Sequence, residues 1–276
     1  MRLKTLLGDY PVTRAIKAGD ISSKAVAFEY DNVKPVQAFK RVVRSLEFDV
    51  AELALVTYLL ARAHGRPLRL LPAVLTARFQ HPYLVYNAER GPLRPADLNG
   101  KRVGQRSYSV TTATWVRGIL ADQHGVDLSS IRWVTFEEPH VAEFRDPPNV
   151  QRAAPGKEIA AMLLAGELDA AILGEIPSDP RLKPLIPDAE AAAADWRERT
   201  GAALQINHMV VVKSSVDQET ADEVYRLLGE SRKAAGNPAT SPFGVDANRR
   251  NLEVAIDCVY RQGMIPRRFR VEELFA

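Results

Sequence analysis

Residues 97–120 read DLNGKRVGQRSYSVTTATWVRGIL, and this stretch limits the fold more tightly than any other. Asn99-Gly100 is a turn signal. Lys101-Arg102-Val103-Gly104 reads as a short strand, and Ser107-Tyr108-Ser109-Val110-Thr111-Thr112 as a loop crowded with hydroxyls. A helix is predicted over 111–124, stopped by Gly125. Ser and Thr oxygens cap helix starts by accepting backbone N–H groups that lack a partner in the helix. The same N–H groups attract anions. A strand running through a donor-rich loop into a helix therefore puts a ligand-ready corner at the strand's carboxyl end, where open α/β sheets bind their ligands.

The rest of the chain repeats this rhythm. Strands are predicted over 3–7, 24–30, 48–53 and 68–75, with helices over 13–18, 35–47 and 54–64 between them. After 97–120 come a strand over 131–136, a proline-rich loop, a helix over 157–165, a strand near 168–173 and a helix over 189–200. A strand over 209–213 and helices over 218–235 and 245–262 close the chain. Two long extended runs, 75–86 and 203–213, break the rhythm, and each carries a histidine before an apolar strand: His81 before PYLVY, His208 before MVVVK. Read as crossings, they divide the chain into a discontinuous first lobe, 1–83 plus 206–276, and a second lobe, 84–205. The expected architecture is α/β, two-lobed, with a central cleft and two interlobe crossings.

Composition narrows the function classes. Of 276 residues 46% are hydrophobic, enough for sizeable cores. The 37 basic residues are interspersed among 34 acidic ones, for a net charge of +3, which argues against a nucleic-acid partner. No apolar run approaches the ~18 residues of a membrane span. The opening MRLKTLLGDYP turns polar too soon for a secretory leader, so a cytoplasmic location is expected. Cys258 is the single cysteine, which rules out an internal disulfide and a cysteine-based metal site. Walker, G-x-G-x-x-G and G-x-S-x-G patterns are missing, and neither a metal nor a cofactor is expected.

Histidine is the side chain best matched to proton transfer near neutral pH. His64 and His124 sit at predicted helix ends and His140 in a polar loop. His81 and His208, at the two crossings, are the catalytic candidates, as donor or base. Glu52 follows a strand and is the candidate to orient a histidine or accept a phenolic proton; anchoring a loop is an equal alternative. Tyr10, Thr13 and Arg14 occupy the first strand-to-helix turn, and Tyr108, Ser109, Thr111 and Thr112 the signature corner; all are candidate substrate contacts. Trp115 lies one turn beyond Thr111 on the same helix face, placed to stack on an aromatic ligand or to pack the core. Arg117 falls roughly 200° around the helix from Trp115, and is expected to pair with an acid inside its lobe.

Several phrases together resemble the 4,5-dihydroxyphthalate decarboxylase family, enzymes on the type II periplasmic-binding-protein fold. They are EFDVAEL (47–53), Phe79 with His81, YSVTTATWVRGIL, GVDLSSIRWV, RTG (199–201), His208 before MVVV, and SPFGVDANRRNLEVAIDCVYRQGMIPRRFRVEELF at the end. The resemblance covers nearly the whole chain. It implies a cofactor-independent carboxy-lyase acting on a hydroxylated aromatic carboxylic acid such as 4,5-dihydroxyphthalate. The implied partner is a small anionic aromatic or carboxylate ligand, with no nucleic acid and no membrane; a homo-oligomer stays open. The chain departs from the family at charged positions. Pro11-Val12-Thr13 stands for Asp-Arg-Thr, Ala77 and Gln80 for two arginines, and Ser107 for a glutamate. A divergent enzyme is one reading of those losses. A solute-binding or sensing protein for a small carboxylate is the alternative.

Overall fold

The structure, a computed structural model, describes residues 1–176 and 178–276. In chain order its elements are β1 Arg2–Leu6, α1 Pro11–Ala18, β2 Ala27–Tyr30, α2 Pro35–Lys40, β3 Val50–Ala54, α3 Leu55–Ala63 and β4 Leu68–Ala77. Next come β5 Leu84–Asn87, β6 Arg102–Gln105, α4 Thr111–His124, β7 Arg132–Thr135, β8 Val150–Arg152, α5 Ile159–Ala165, β9 Ala170–Ile172, β10 Leu182–Pro184 and α6 Ala189–Thr200. The chain ends with β11 Ile206–Lys213, α7 Gln218–Ala234 and α8 Val245–Arg261. Among the described residues no helix is long and apolar enough to cross a membrane.

These elements fall into two compact units. Unit 1 comprises Met1–Arg78, His140–Glu143 and Ala203–Ala276, and unit 2 comprises Phe79–Pro139 and Phe144–Ala202. The expected boundaries, 83/84 and 205/206, thus fall a few residues late. His81 belongs with unit 2 because its imidazole bonds to Gln123 of α4. Ala203 and Leu204 belong with unit 1 because both amides donate to Asn251 Oδ1 of α8. The short 140–143 excursion was not expected from its polar, proline-flanked sequence. Buried Val141, an Arg44–His140 carbonyl bond and an Arg66–Glu143 ion pair hold it to unit 1.

Unit 1 is built on a five-stranded sheet in the order β2-β1-β3-β11-β4. β1 runs parallel to β2 and β3, while β11 is antiparallel to both β3 and β4. The β-α-β order of the first residues demands the parallel pairs. Every residue of β3, Val-Ala-Glu-Leu-Ala, is buried, as befits a strand covered on both faces. Leu3, Val50, Leu71, Val210 and Val212 pack with Val224, Leu227 and Leu228 of α7 in its core. Burying each such aliphatic side chain contributes about 1.5–3 kcal/mol. The helix expected over 35–47 is two things: α2, then a wider π-type turn over Arg41–Ser45, ended at Leu46 with φ 51°.

Unit 2 is built on a six-stranded sheet, β10-β5-β9-β6-β7-β8. β6 is parallel to β7 and β9, and β5 is antiparallel to β9 and β10. The signature stretch supplies β6 and α4, and α4 has the bounds expected for it. Gly104 lets β6 approach its neighbours, since a Cβ there would lie 2.5 Å from Leu168 Cδ1. The edge strands β8 and β10 escaped the sequence reading. Each has three residues, too few for alternation to register.

Candidate active site

In unit 1, the register of β3 and β11 dictates a pairing. His208 opposes Ala54, and Val210 opposes Glu52. Residues two apart share a sheet face, so His208 sits diagonally from Glu52 on one face. The expectation that His208 precedes its strand is corrected here: β11 begins at Ile206, and His208 lies inside it. The β11–β4 ladder slips on both sides of His208. Such bulges re-aim side chains and recur beside active sites.

Glu52 is completely buried, and its carboxylate gathers three donors. Oε1 accepts from the Tyr10 hydroxyl at 2.7 Å and lies 2.6 Å from His208 Nδ1, while Oε2 accepts from the Gly8 amide at 2.9 Å. An ionised carboxylate only accepts, so Nδ1 of His208 carries the proton and Nε2 is left as the reactive nitrogen. The His208 side chain is 16% exposed, so the ring has an open edge. Burial raises the Tyr10 hydroxyl pKa far above its ordinary value, reinforced by the Glu52 charge and by their hydrogen bond. Tyr10 therefore stays a donor. Only glycine fits at position 8: a Cβ would lie 2.6 Å from the Tyr10 ring and 2.8 Å from Glu52 Oε2.

The neighbouring turn serves α1. Thr13 is fully buried, and its hydroxyl donates to the Gly8 carbonyl at 2.7 Å while accepting from the Tyr10 amide at 2.9 Å. That occupation corrects its expected role as a substrate contact. Arg14 points outward, its side chain 67% exposed, and pairs with Asp9 at 3.4 Å. The His208 ring also meets Phe39 edge-to-face, and Phe39 in turn meets His140 edge-to-face.

Unit 2 holds the signature corner. Val110 precedes α4 and has no side-chain oxygen, so no side chain at that position caps the helix start. Ser107 and Ser109 are buried with their hydroxyl oxygens 3.5 Å apart, Thr111 is buried, and Thr112 is half-buried. Tyr108 is buried too. The Arg117 guanidinium sits 3.7 Å from its ring centroid, and Phe144 stacks at 6.5 Å. Arg117 bonds to Gln105 Oε1 (2.7 Å), the Tyr108 carbonyl (2.8 Å) and Thr114 Oγ1 (3.2 Å), and its charge also acts on an acid of the same unit, Asp146. Trp115 packs edge-to-face on Trp196 at 5.9 Å, in the core. The stacking role expected for Trp115, and the contact role for Tyr108, are taken up by packing.

His81 is completely buried in unit 2. Gln123 donates its amide hydrogens to the Ala192 carbonyl (2.9 Å) and Asp195 Oδ2 (2.7 Å), which turns its Oε1 toward His81 Nε2 at 2.8 Å. Nε2 is thus the protonated nitrogen, and Nδ1 has no hydrogen-bond partner among the described residues. Burial, with nearby His124, lowers the His81 pKa against the opposing pull of Gln123 and Asp195. Such a ring stays neutral at ordinary pH.

Sequence reasoning missed Gly8, Phe39 and His140. Gly8 carried the one usable signal, a glycine two residues ahead of Tyr10; Phe39 is indistinguishable from any apolar helix-face residue. Among the described residues no group of three or more His, Cys, Asp or Glu side chains is arranged to hold a metal.

No family model matches the chain. It is 32% identical over 232 residues to the 4,5-dihydroxyphthalate decarboxylase of Comamonas testosteroni, covering 79% of this chain and 70% of that one. It is 31% identical over 209 residues to the 4,5-dihydroxyphthalate decarboxylase of Pseudomonas putida, covering 71% and 81%. In structure it is similar to the alkanesulfonate-binding protein SsuA of Xanthomonas axonopodis pv. citri bound to MOPS. The TM-score is 0.61 at 12% identity, over 99% of this chain and 96% of that one, which shows a shared fold.

Proposed function

Because the chain belongs to the 4,5-dihydroxyphthalate decarboxylase family, we propose that it decarboxylates a hydroxylated aromatic carboxylic acid, with 4,5-dihydroxyphthalate the first substrate to test. The observation that carries the mechanism is the 2.6 Å contact between Glu52 Oε1 and His208 Nδ1.

Losing CO2 from an aromatic acid requires a proton at the ring carbon that bears the carboxylate. His208 takes a second proton from solvent at Nε2 and delivers it to that carbon. A hydroxyl para to it feeds electron density into the ring and stabilises the positive charge. The carbon–carboxylate bond then breaks, its electron pair restores the aromatic ring, and CO2 leaves. Neutral His208 regains a proton from solvent, so one proton is consumed for each CO2 released. Glu52 stabilises the imidazolium and fixes the ring through Nδ1. Tyr10 and the Gly8 amide hold the carboxylate in turn. As proposed, the step uses neither metal nor cofactor. A cytoplasmic location goes with this reading, and the lone buried Cys258 is compatible with it.

The test is incubation of the purified protein with 4,5-dihydroxyphthalate while CO2 and 3,4-dihydroxybenzoate are followed. Formation of both in equal amounts supports the reading. Tight binding without turnover overturns it and favours a solute-binding role.

A further inference from the structure

The Phe39 ring meets two histidines of unit 1. Its ring meets that of His208 edge-to-face at 5.2 Å and 87°, and that of His140 at 5.6 Å and 77°. Phe39 and His140 are both buried. His140 is held both at its ring and at its carbonyl. Its Nδ1 shares a 2.8 Å hydrogen bond with Thr57 Oγ1 of α3, and its carbonyl accepts from Arg44 Nε at 2.9 Å.

The backbone between Phe39 and Arg44 is built to reach the same residue twice. Five residues along an α-helix turn about 500°, which would set Arg44 roughly 140° away from Phe39. Instead a π-type turn over Arg41–Ser45, pairing i with i+5, follows the α-helix that carries Phe39, and Phe39 and Arg44 both meet His140. It closes on Leu46 at φ 51°, a left-handed backbone that leucine rarely adopts. Strained segments of this kind gather where a side chain must be placed.

We propose that Phe39 is a positioning residue for His208, and that His140, gripped by Arg44 and Thr57, holds Phe39 in place. Glu52 fixes one nitrogen of the His208 ring but leaves the ring free to swing about that bond. The edge-to-face contact removes the swing and sets the direction in which Nε2 points. The titratable groups around His208 are then Glu52 at its Nδ1, Tyr10 bonded to the same oxygen of Glu52, and His140 in contact with Phe39.

This inference rests on the reading of His208 as the proton-transfer group, so its test has a second readout independent of turnover. Phe39→Leu, His140→Gln and Arg44→Gln are compared with the unaltered protein. The measurements are kcat and KM on 4,5-dihydroxyphthalate, and the ring nitrogen shifts of His208 by NMR. Phe39→Leu is expected to lower kcat about tenfold with KM unchanged, since small misplacements of reacting groups are costly. Its His208 nitrogens are expected to move from a single Nδ1–H tautomer to averaged values. His140→Gln moves both readouts the same way by less. Arg44→Gln alters an exposed side chain, keeps the fold and gives the smallest shift. Unchanged His208 shifts in a folded Phe39→Leu overturn the proposal. Should Phe39→Leu fail to fold, unchanged shifts in both other variants overturn it equally. Intact turnover in His208→Gln is a separate result that overturns the proposed function instead.

Discussion

Glu52 Oε1 and His208 Nδ1 lie 2.6 Å apart, joined diagonally across the antiparallel pair β3–β11. The carboxylate is completely buried and the imidazole is not. A buried acceptor that fixes one nitrogen of a partly open histidine is an arrangement for aiming the other.

Glu52→Gln keeps the shape and removes the charge. An amide oxygen cannot stabilise an imidazolium as a carboxylate does, and its NH2 group faces donors. We expect kcat to fall about a hundredfold or more, within the range for loss of acid–base assistance. Steady-state kinetics check this, with circular dichroism to confirm the fold.

Gly8→Ala is expected to be harmful although the change is one methyl. The added carbon meets the Tyr10 ring and Glu52 Oε2 at 2.6–2.8 Å, well inside contact distance. Overpacking of this kind costs about 1–3 kcal/mol. Urea unfolding should show the loss, and kcat should fall with it as Tyr10 and Glu52 are pushed apart.

Arg117→Lys tests the buried guanidinium of unit 2. Lysine offers a point charge where Arg117 makes a planar fork to Gln105 and the Tyr108 carbonyl and covers the Tyr108 ring. Unfolding of unit 2 is expected to become easier by about 3 kcal/mol. Amide exchange resolved along the chain should localise the loss to unit 2.

His81 gives a pH dependence of stability with a definite sign. Its folded pKa is depressed, chiefly by burial, below the unfolded value of 6.5. Between those two values the unfolded chain holds the extra proton, so stability rises with pH there. The contribution is fully present above 6.5 and is lost as pH falls toward the folded value. His124, also lowered by burial, acts in the same direction. His81→Gln is expected to flatten the slope of unfolding free energy against pH just below 6.5.

The fold was largely legible because its signals are local. Helix α4 keeps the expected bounds because Gly125 takes the left-handed conformation that stops it, and α6 ends likewise at Gly201. The site was legible in part. Tyr10, Glu52 and His208 were singled out separately, but the bond that joins them depends on the β3–β11 register, which no local pattern encodes. Thr13 and Trp115 looked like contacts, and tertiary packing claimed both. In sequence His140 is a loop residue, because its hold on unit 1 comes from Arg44 and Thr57, each more than 80 positions away.

The most direct measurement is turnover of 4,5-dihydroxyphthalate in deuterated water by the unaltered protein and by His208→Gln. The unaltered protein should release CO2 and place one deuterium on the carbon that lost it, and His208→Gln should be slower by about a hundredfold or more. Equal rates in the two proteins, or binding with no CO2 released by either, would contradict His208-mediated decarboxylation.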